Sequence, residues 1–364
     1  MEYISYRQSV FLISMILPVT GHFLLLQPLF ATSGRDGWIS ILFTVPIGLL
    51  FAFVLYRLHT LYPSKTIVEM LEQAFGVILG KILSISILSY FFYMVVITAY
   101  ALFDFIYVIF LPETPKWAFA ISFYIVVIYG MYLGMESIAR MAEPLLLIII
   151  VTGITISIAG QPEKNYENLF PLFEYGTTPI LLGMLLTAAL FGEFILLMML
   201  RLRKEHSKAK SFLFTNMITV LLITWMFIST SISTLAVFGS EQVKDLQYPA
   251  QSLVRVVSIG FIERIDIYGI ATIVVGCVIR MATFQYILNL GIRQWLVKKN
   301  KWGIHIGISF FVLLFSLFLI EDQQQFFEVY LQQIYPVTAF ISVGLPLVTW
   351  LLLEIKQKET RTMK

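Results

Sequence analysis

The sequence predicts an all-α, polytopic membrane protein of about ten transmembrane helices, and three observations carry that reading. Hydrophobic residues make up 59% of the 364 residues and charged residues only 13%, about half the charged share of an ordinary soluble domain. The apolar runs are continuous, whereas the strands of a membrane β-barrel alternate. Their lengths suit the bilayer, because about 20 apolar residues cross the hydrocarbon as a helix. The predicted spans are 9–31, 38–56, 82–110, 117–133, 138–160, 179–200, 211–238, 266–290, 304–320 and 334–353, forming one transmembrane domain with a basic tail over 354–364. The first run, Val10 to Ala31, is long for a signal peptide and lacks a convincing cleavage site, so it is taken as helix 1. Cys277 is the only cysteine, so no internal disulfide can form.

The net charge of +3 says little, but the placement of charge sets an expected orientation. With the N-terminus in the cytoplasm, eighteen Lys and Arg residues fall in cytoplasmic segments and six outside, with Arg280 inside a span. That three-to-one bias follows the positive-inside rule, and an even number of spans keeps the basic C-terminal tail inside as well. Segment 59–80 reads as a cytoplasmic amphipathic helix, with Ile67, Leu71, Ala74 and Phe75 on one face. The longest outer segments are 161–178 and 240–265, which either close over a binding site or serve as connectors.

Helices 1 and 6 carry matching interruptions. Helix 1 has Pro18, Thr20, Gly21 and His22 near its centre, and helix 6 has Gly183 and then Phe191-Gly192-Glu193. Glycine and proline both weaken the helical ladder. Freed backbone groups at that depth must be buried in protein or face a wet cavity. The paired breaks point to a LeuT-like five-plus-five inverted repeat, with halves at about 9–160 and 179–353 around a midplane cavity. A packing kink in each helix is the plainer alternative.

Charges at depth need partners. Glu193 is a candidate for the amine of a substrate, a proton or a cation, or it bonds freed amides at the break. His22 is either a cavity-lining donor or a packing histidine. Arg280, deep in helix 8, cannot lose its proton and requires carbonyls or a carboxylate. It is expected to bond the free carbonyls of helix 1 and so fix or gate the fold, or to lock helices by an ion pair. Tyr90, Tyr93, Ile97, Tyr100, Asp104 and Tyr107 form one stripe on helix 3, with Tyr93 a pathway candidate. The candidate substrate-binding set is therefore Thr20, Gly21, His22, Tyr93, Phe191, Gly192 and Glu193.

Nothing in the sequence points to an enzyme. It has no metal-ligand pair, phosphate-binding glycine loop or nucleophile elbow, so no catalytic residue, cofactor or metal is assigned. The basic clusters follow from topology and imply no nucleic acid.

Three segments carry a family resemblance: Gly34-Arg35-Asp36-Gly37-Trp38-Ile39-Ser40, Leu58 to Thr66, and Gly134-Met135-Glu136-Ser137-Ile138-Ala139-Arg140-Met141-Ala142-Glu143-Pro144. With the ten-helix count, the chain resembles the B subunits of spore germinant receptors, the spore germination permeases of the amino acid–polyamine–organocation superfamily. The family often has Lys where this chain has Arg280, which keeps the charge but removes any role for a deprotonated amine. The resemblance implies a nutrient-recognition subunit of the inner spore membrane. The nutrient would be an amino acid, and the partners a germinant receptor A subunit and a lipoprotein C subunit. The alternative function is a proton-coupled amino acid transporter. Arg35 and Asp36 are expected to clamp helices 1 and 2 by an ion pair. Glu136, Arg140 and Glu143 share one helical face, so Arg140 can pair with either acid as a lock or inner gate.

Overall fold

The computed structural model describes residues 4–202, 209–257, 266–296 and 302–362. Arg203, Lys204, Lys208, Arg264, Lys298, Lys299, Lys301 and Lys364, which enter the charge argument, lie outside these residues. Among the described residues the regular structure is helical, joined by short connecting segments and one isolated bridge between Ile4 and Leu202. Helix 1 comprises Tyr6–Pro18, Val19–Leu25 and Leu26–Ser33; helix 2 is Gly37–Leu61; helix 3 is Val77–Ile109; helix 4 is Lys116–Leu133; helix 5 is Met135–Ala159. Helix 6 is Thr178–Gly192 continued by Glu193–Met199; helix 7 is Ala209–Asp245; helix 8 is Asp266–Leu296; helix 9 is Trp302–Phe318. Helix 10 starts with Gln323–Gln325 and ends with Leu345–Thr362. Eight stretches are long and apolar enough to cross a membrane, one of them helices 1 and 2 together, and helix 9 is a shorter apolar helix. The start of helix 1 and the end of helix 10 lie on one side of the helices, since Tyr6 bonds His59 and Glu354 pairs with Arg57, both near the end of helix 2; this side is called here the terminal face and the other the distal face.

The outward surface is apolar, as lipid requires. Leu42, Phe43, Ile78, Ile125, Ile158, Phe310 and Phe318 are exposed, while one continuous core runs through the interior. Interior polar side chains are mostly small hydroxyls that bond the backbone or one another. Thr44 and Thr187 join helices 2 and 6 at 2.5 Å, beside Gly183, where an added Cβ would lie 2.2 Å from Ser33 Oγ. Small residues at such crossings let helix backbones approach.

Several boundaries differ from the sequence expectation, and segment 59–80 is divided among the end of helix 2, a short helix and the start of helix 3. Helix 3 begins at Val77 rather than 82, because Ile67–Phe75 is a separate short helix and the turn at Gly76 is immediate. That short helix starts at a capping box between Thr66 and Glu69 and buries Ile67, Val68, Met70, Leu71 and Ala74. Helix 10 begins at Gln323 rather than 334, its first turns hidden from hydropathy by Gln323, Gln324, Gln325, Glu328, Gln332 and Gln333. Helix 7 runs on to Asp245 across a kink at Gly239, whose φ of 74° favours glycine.

The terminal face is tied across helices. Arg57 of helix 2 pairs with Glu354 of helix 10, Trp295 Nε1 donates to the Lys81 carbonyl at 3.0 Å, and Lys356 Nζ donates to the Ala74 carbonyl at 2.8 Å. The short helix packs directly on helix 3 at Gly80, where an added Cβ would sit 2.5 Å from Glu72 Cα. Gly80→Val is therefore expected to push the short helix away and to destabilise the fold by about 1–3 kcal/mol, measured as a lowered Tm of the detergent-solubilised protein. An unchanged Tm would contradict this packing.

Candidate functional site

Both sequence-predicted interruptions exist, and they differ in kind. After Pro18, which has no N–H to donate, helix 1 widens into a π-helical segment over Val19–Leu25 and then resumes. Helix 6 is α-helical to Gly192 and then tightens into a 3₁₀ segment over Glu193–Met199. Glycines let neighbours close on both breaks. A Cβ at Gly192 would lie 2.0 Å from Ser342 Oγ of helix 10, and one at Gly276 of helix 8 would lie 2.5 Å from Val19 Cγ2. Gly21 faces the Phe227 ring of helix 7, with its virtual Cβ 3.3 Å away.

The break in helix 6 places Glu193 against Arg280, and both side chains are fully buried. Arg280 Nη1 donates to Glu193 Oε2, and Arg280 Nη2 donates to Glu193 Oε1 at 3.1 Å, a two-pronged pair. Thr20 Oγ1, from the π segment of helix 1, donates to Oε2 at 3.2 Å, and Tyr335 OH of helix 10 donates to Oε1 at 2.9 Å. Arg280 Nε donates to Thr98 Oγ1 of helix 3 at 2.8 Å, and its guanidinium lies 4.8 Å from the Phe284 ring centroid. The cluster therefore joins helices 1, 3, 6, 8 and 10. Of the two kinds of partner the sequence left open for Arg280, the structure supplies a carboxylate and not the carbonyls of helix 1. The carboxylate considered for a substrate amine is engaged by the protein's own cation.

The other candidates spread around this centre. Tyr93 OH donates to the Tyr330 carbonyl of helix 10 at 2.6 Å, and Tyr90 is buried beside the cluster. Phe191 packs toward helix 2, its ring 3.1 Å from the virtual Cβ of Gly48. His22 stands apart from Glu193. Its ring lies 5.9 Å from the Phe227 ring and lines a cleft toward the distal face. Farther along the helix 3 stripe, Asp104 accepts from Lys116 Nζ at 2.9 Å and from Tyr248 OH at 3.3 Å, and Lys116 also lies over the Tyr107 ring. Sequence reasoning missed Tyr335 and Thr98. A tyrosine before Pro336 in an apolar helix is the only signal for the first, and a lone threonine gives none for the second.

One expected ion pair is replaced by a longer-range one, and another forms as expected. Arg35 does not pair with Asp36. Its Nε lies 3.2 Å from Glu174 Oε2, and it also donates to Ser240 Oγ at 3.0 Å and to the Phe170 carbonyl. Asp36 instead accepts from the Phe173 backbone N–H at 3.2 Å. Adjacent in sequence, the two side chains reach different parts of the distal segment between helices 5 and 6 and pin it down. On the terminal face Arg140 bonds Glu136 at 2.6 Å, but Glu143 pairs with Arg7 of helix 1 at 3.0 Å. Arg140 thus takes one of its two possible acids, and a cation from another helix takes the second. Both pairs are largely exposed and contribute little.

With this geometry in place, comparison with known proteins assigns the family. Residues 3–325 match the sequence profile of the spore germination protein family. The chain belongs to the spore germination protein family. It is 27% identical over 274 residues to Spore germination protein XB of Bacillus anthracis, covering 74% of this chain and 75% of that one. It is 26% identical over 327 residues to Spore germination protein KB of Bacillus subtilis, covering 86% and 84%. Among solved structures it resembles the Eremococcus coleocola manganese transporter, with a TM-score of 0.63, 12% identity, and 93% of this chain and 77% of that one covered. At that identity the likeness shows a shared all-α, LeuT-like fold and nothing about role. Among the described residues, no three His, Cys, Asp or Glu side chains gather to hold a metal ion.

Two measurements follow. Breaking the buried pair strands one charge, so Arg280→Met or Glu193→Leu alone should cost about 3–5 kcal/mol, whereas the double variant should cost less than either single. Thermal unfolding of the three variants checks this, and additive losses would contradict it. At the distal clamp, burial raises the carboxyl pKa of Asp36 above its ordinary 3.8, partly offset by the Phe173 N–H and by Arg35. A group whose pKa is higher folded than unfolded loses its stabilising contribution as pH rises through the folded value. Asp36→Asn keeps an acceptor for Phe173, so its Tm should match wild type below about pH 4 and exceed it increasingly toward neutrality. A Tm gap that does not grow with pH would contradict this.

Proposed function

We propose that this chain is the nutrient-recognition B subunit of a spore germinant receptor and that its ligand is an amino acid received where the breaks of helices 1 and 6 meet. The observation that carries the reading is the buried Glu193–Arg280 pair at that junction. An α-amino acid bears the same two charges in one small molecule. Its ammonium can take the place of Arg280 against Glu193 while its carboxylate takes the place of Glu193 against Arg280. Neither buried charge is then stranded, which is the condition for opening such a pair at low cost. Thr20 and Tyr335 already donate to Glu193 and would orient the ligand, while Gly21 and Gly192, closely packed on Phe227 and Ser342, would yield space only as the helices part.

Insertion of ligand moves helix 6 relative to helix 8, because the pair that joined them is split. Ligand shifts the balance only by binding the parted state more tightly than the closed one. The two halves, 9–160 and 179–353, are the bodies that move. The terminal face lies in the cytoplasm, in keeping with its Lys and Arg, and the membrane is the inner membrane of the spore. The A subunit and the lipoprotein C subunit receive the shift. The spore germination relatives support this setting, since a family-wide role in germination requires a nutrient signal to cross the membrane.

A proton-coupled amino acid transporter is the second reading, favoured by the transporter fold. Proteoliposomes carrying the chain separate the two when offered the twenty common amino acids in radiolabelled form. Saturable binding without concentrative uptake is expected, and concentrative uptake would move the conclusion to transport. Glu193→Gln and Gly21→Leu should each weaken binding about 10- to 100-fold in protein that still inserts. Unchanged affinity in both would remove the site from the helix 1 and 6 junction.

A further inference from the structure

A cleft of about 250 Å³ lies toward the distal face between helices 1, 5, 7 and 8, separate from the Glu193 cluster. Its walls are mainly apolar, with Trp225, Val254 and Ile273 among them. Its polar groups include His22, Ser233 and Gln251. Gln251 sits on the short helix Pro249–Val256, which buries Pro249, Gln251 and Leu253 and packs on the start of helix 8 at Gly269.

Gln251 is only 2% exposed, yet neither its side-chain nitrogen nor its oxygen has a hydrogen-bond partner. His22 Nε2 is likewise buried and unpartnered. Leaving such groups unmet is costly, so a buried primary amide with both ends free beside a cavity marks a place where something else donates and accepts. Among the described residues no acidic side chain lines the cleft, and the ammonium of the one lysine there, Lys164, already donates to the Ser157 carbonyl at 3.0 Å. The surroundings therefore suit an uncharged partner and not a zwitterion.

We propose that this cleft is a second ligand site, taking a small uncharged molecule with an apolar body and one primary amide. Such a group pairs its carbonyl and N–H with the N–H and carbonyl of Gln251 in a two-bond ring, and the apolar body lies along Trp225 and Val254. His22 donates to or accepts from the same head group. His22 belongs to the π-helical segment of helix 1 that also carries Thr20, a donor to Glu193.

The probe is 4-methylpentanamide, titrated by calorimetry into the full chain in lipid nanodiscs. One saturable site is expected, weakened at least about tenfold by Gln251→Leu, which removes the amide at similar volume, and by Ser233→Trp, which fills the cleft. Tyr335→Phe, which alters the central cluster, should leave amide affinity unchanged, so failure here is distinct from failure of the amino acid site. Thermal unfolding confirms that each variant is folded. Absence of saturable binding to folded protein would mean that water alone meets Gln251 and would overturn the proposal. So would an affinity indifferent to both cleft variants, or one lost in Tyr335→Phe.

Discussion

The Glu193–Arg280 ion pair is the constraint on which the interior of this protein depends. Two full charges in a membrane interior are costly, and their attraction offsets that cost only when geometry and further hydrogen bonds are good. Here the guanidinium fork meets both carboxylate oxygens, and Thr20, Tyr335 and Thr98 supply the remaining partners. Lysine would be a poorer substitute, because its ammonium is a point charge that loses its proton when buried, whereas arginine stays charged and binds in two places. Such a pair contributes more to fixing one arrangement of five helices than to net stability. Its members are useless to the fold when apart.

The local backbone follows from that arrangement. For Glu193 to face helix 8, helix 6 turns tighter just after Gly192, and the absence of a side chain there lets Ser342 of helix 10 close in. For Thr20 to reach Glu193, helix 1 widens after Pro18, and Gly276 lets helix 8 lie against the widened turn. A polytopic permease fold in which the midplane is held by opposite charges is suited to a small ligand that carries both.

Much of this was legible in the sequence. Ten apolar runs, the two interrupted helices and each buried charge announced themselves, because lipid tolerates neither an unpaired charge nor an unsatisfied backbone. The pairing was not legible: Glu193 and Arg280 lie 87 residues apart, and no local pattern joins them. Proximity in sequence misled at Arg35 and Asp36, whose side chains diverge to Glu174 and the Phe173 amide. It served at Arg140, which pairs with Glu136 one turn away, although Arg7 from another helix reaches the second acid, Glu143. Hydropathy missed the glutamine-rich start of helix 10, and single polar residues such as Tyr335 and Gln251 carry no signal until the fold surrounds them with apolar neighbours.

If the buried pair is exchanged for the ligand's own two charges, both charges of the ligand are required. The direct measurement compares binding of the best-bound amino acid with its methyl ester, which keeps only the ammonium, and its N-acetyl derivative, which keeps only the carboxylate. Each derivative leaves one buried charge unmatched, so each should bind at least about tenfold more weakly than the parent. Equal affinity for all three would show that the Glu193–Arg280 pair stays closed when ligand binds, and would contradict the account.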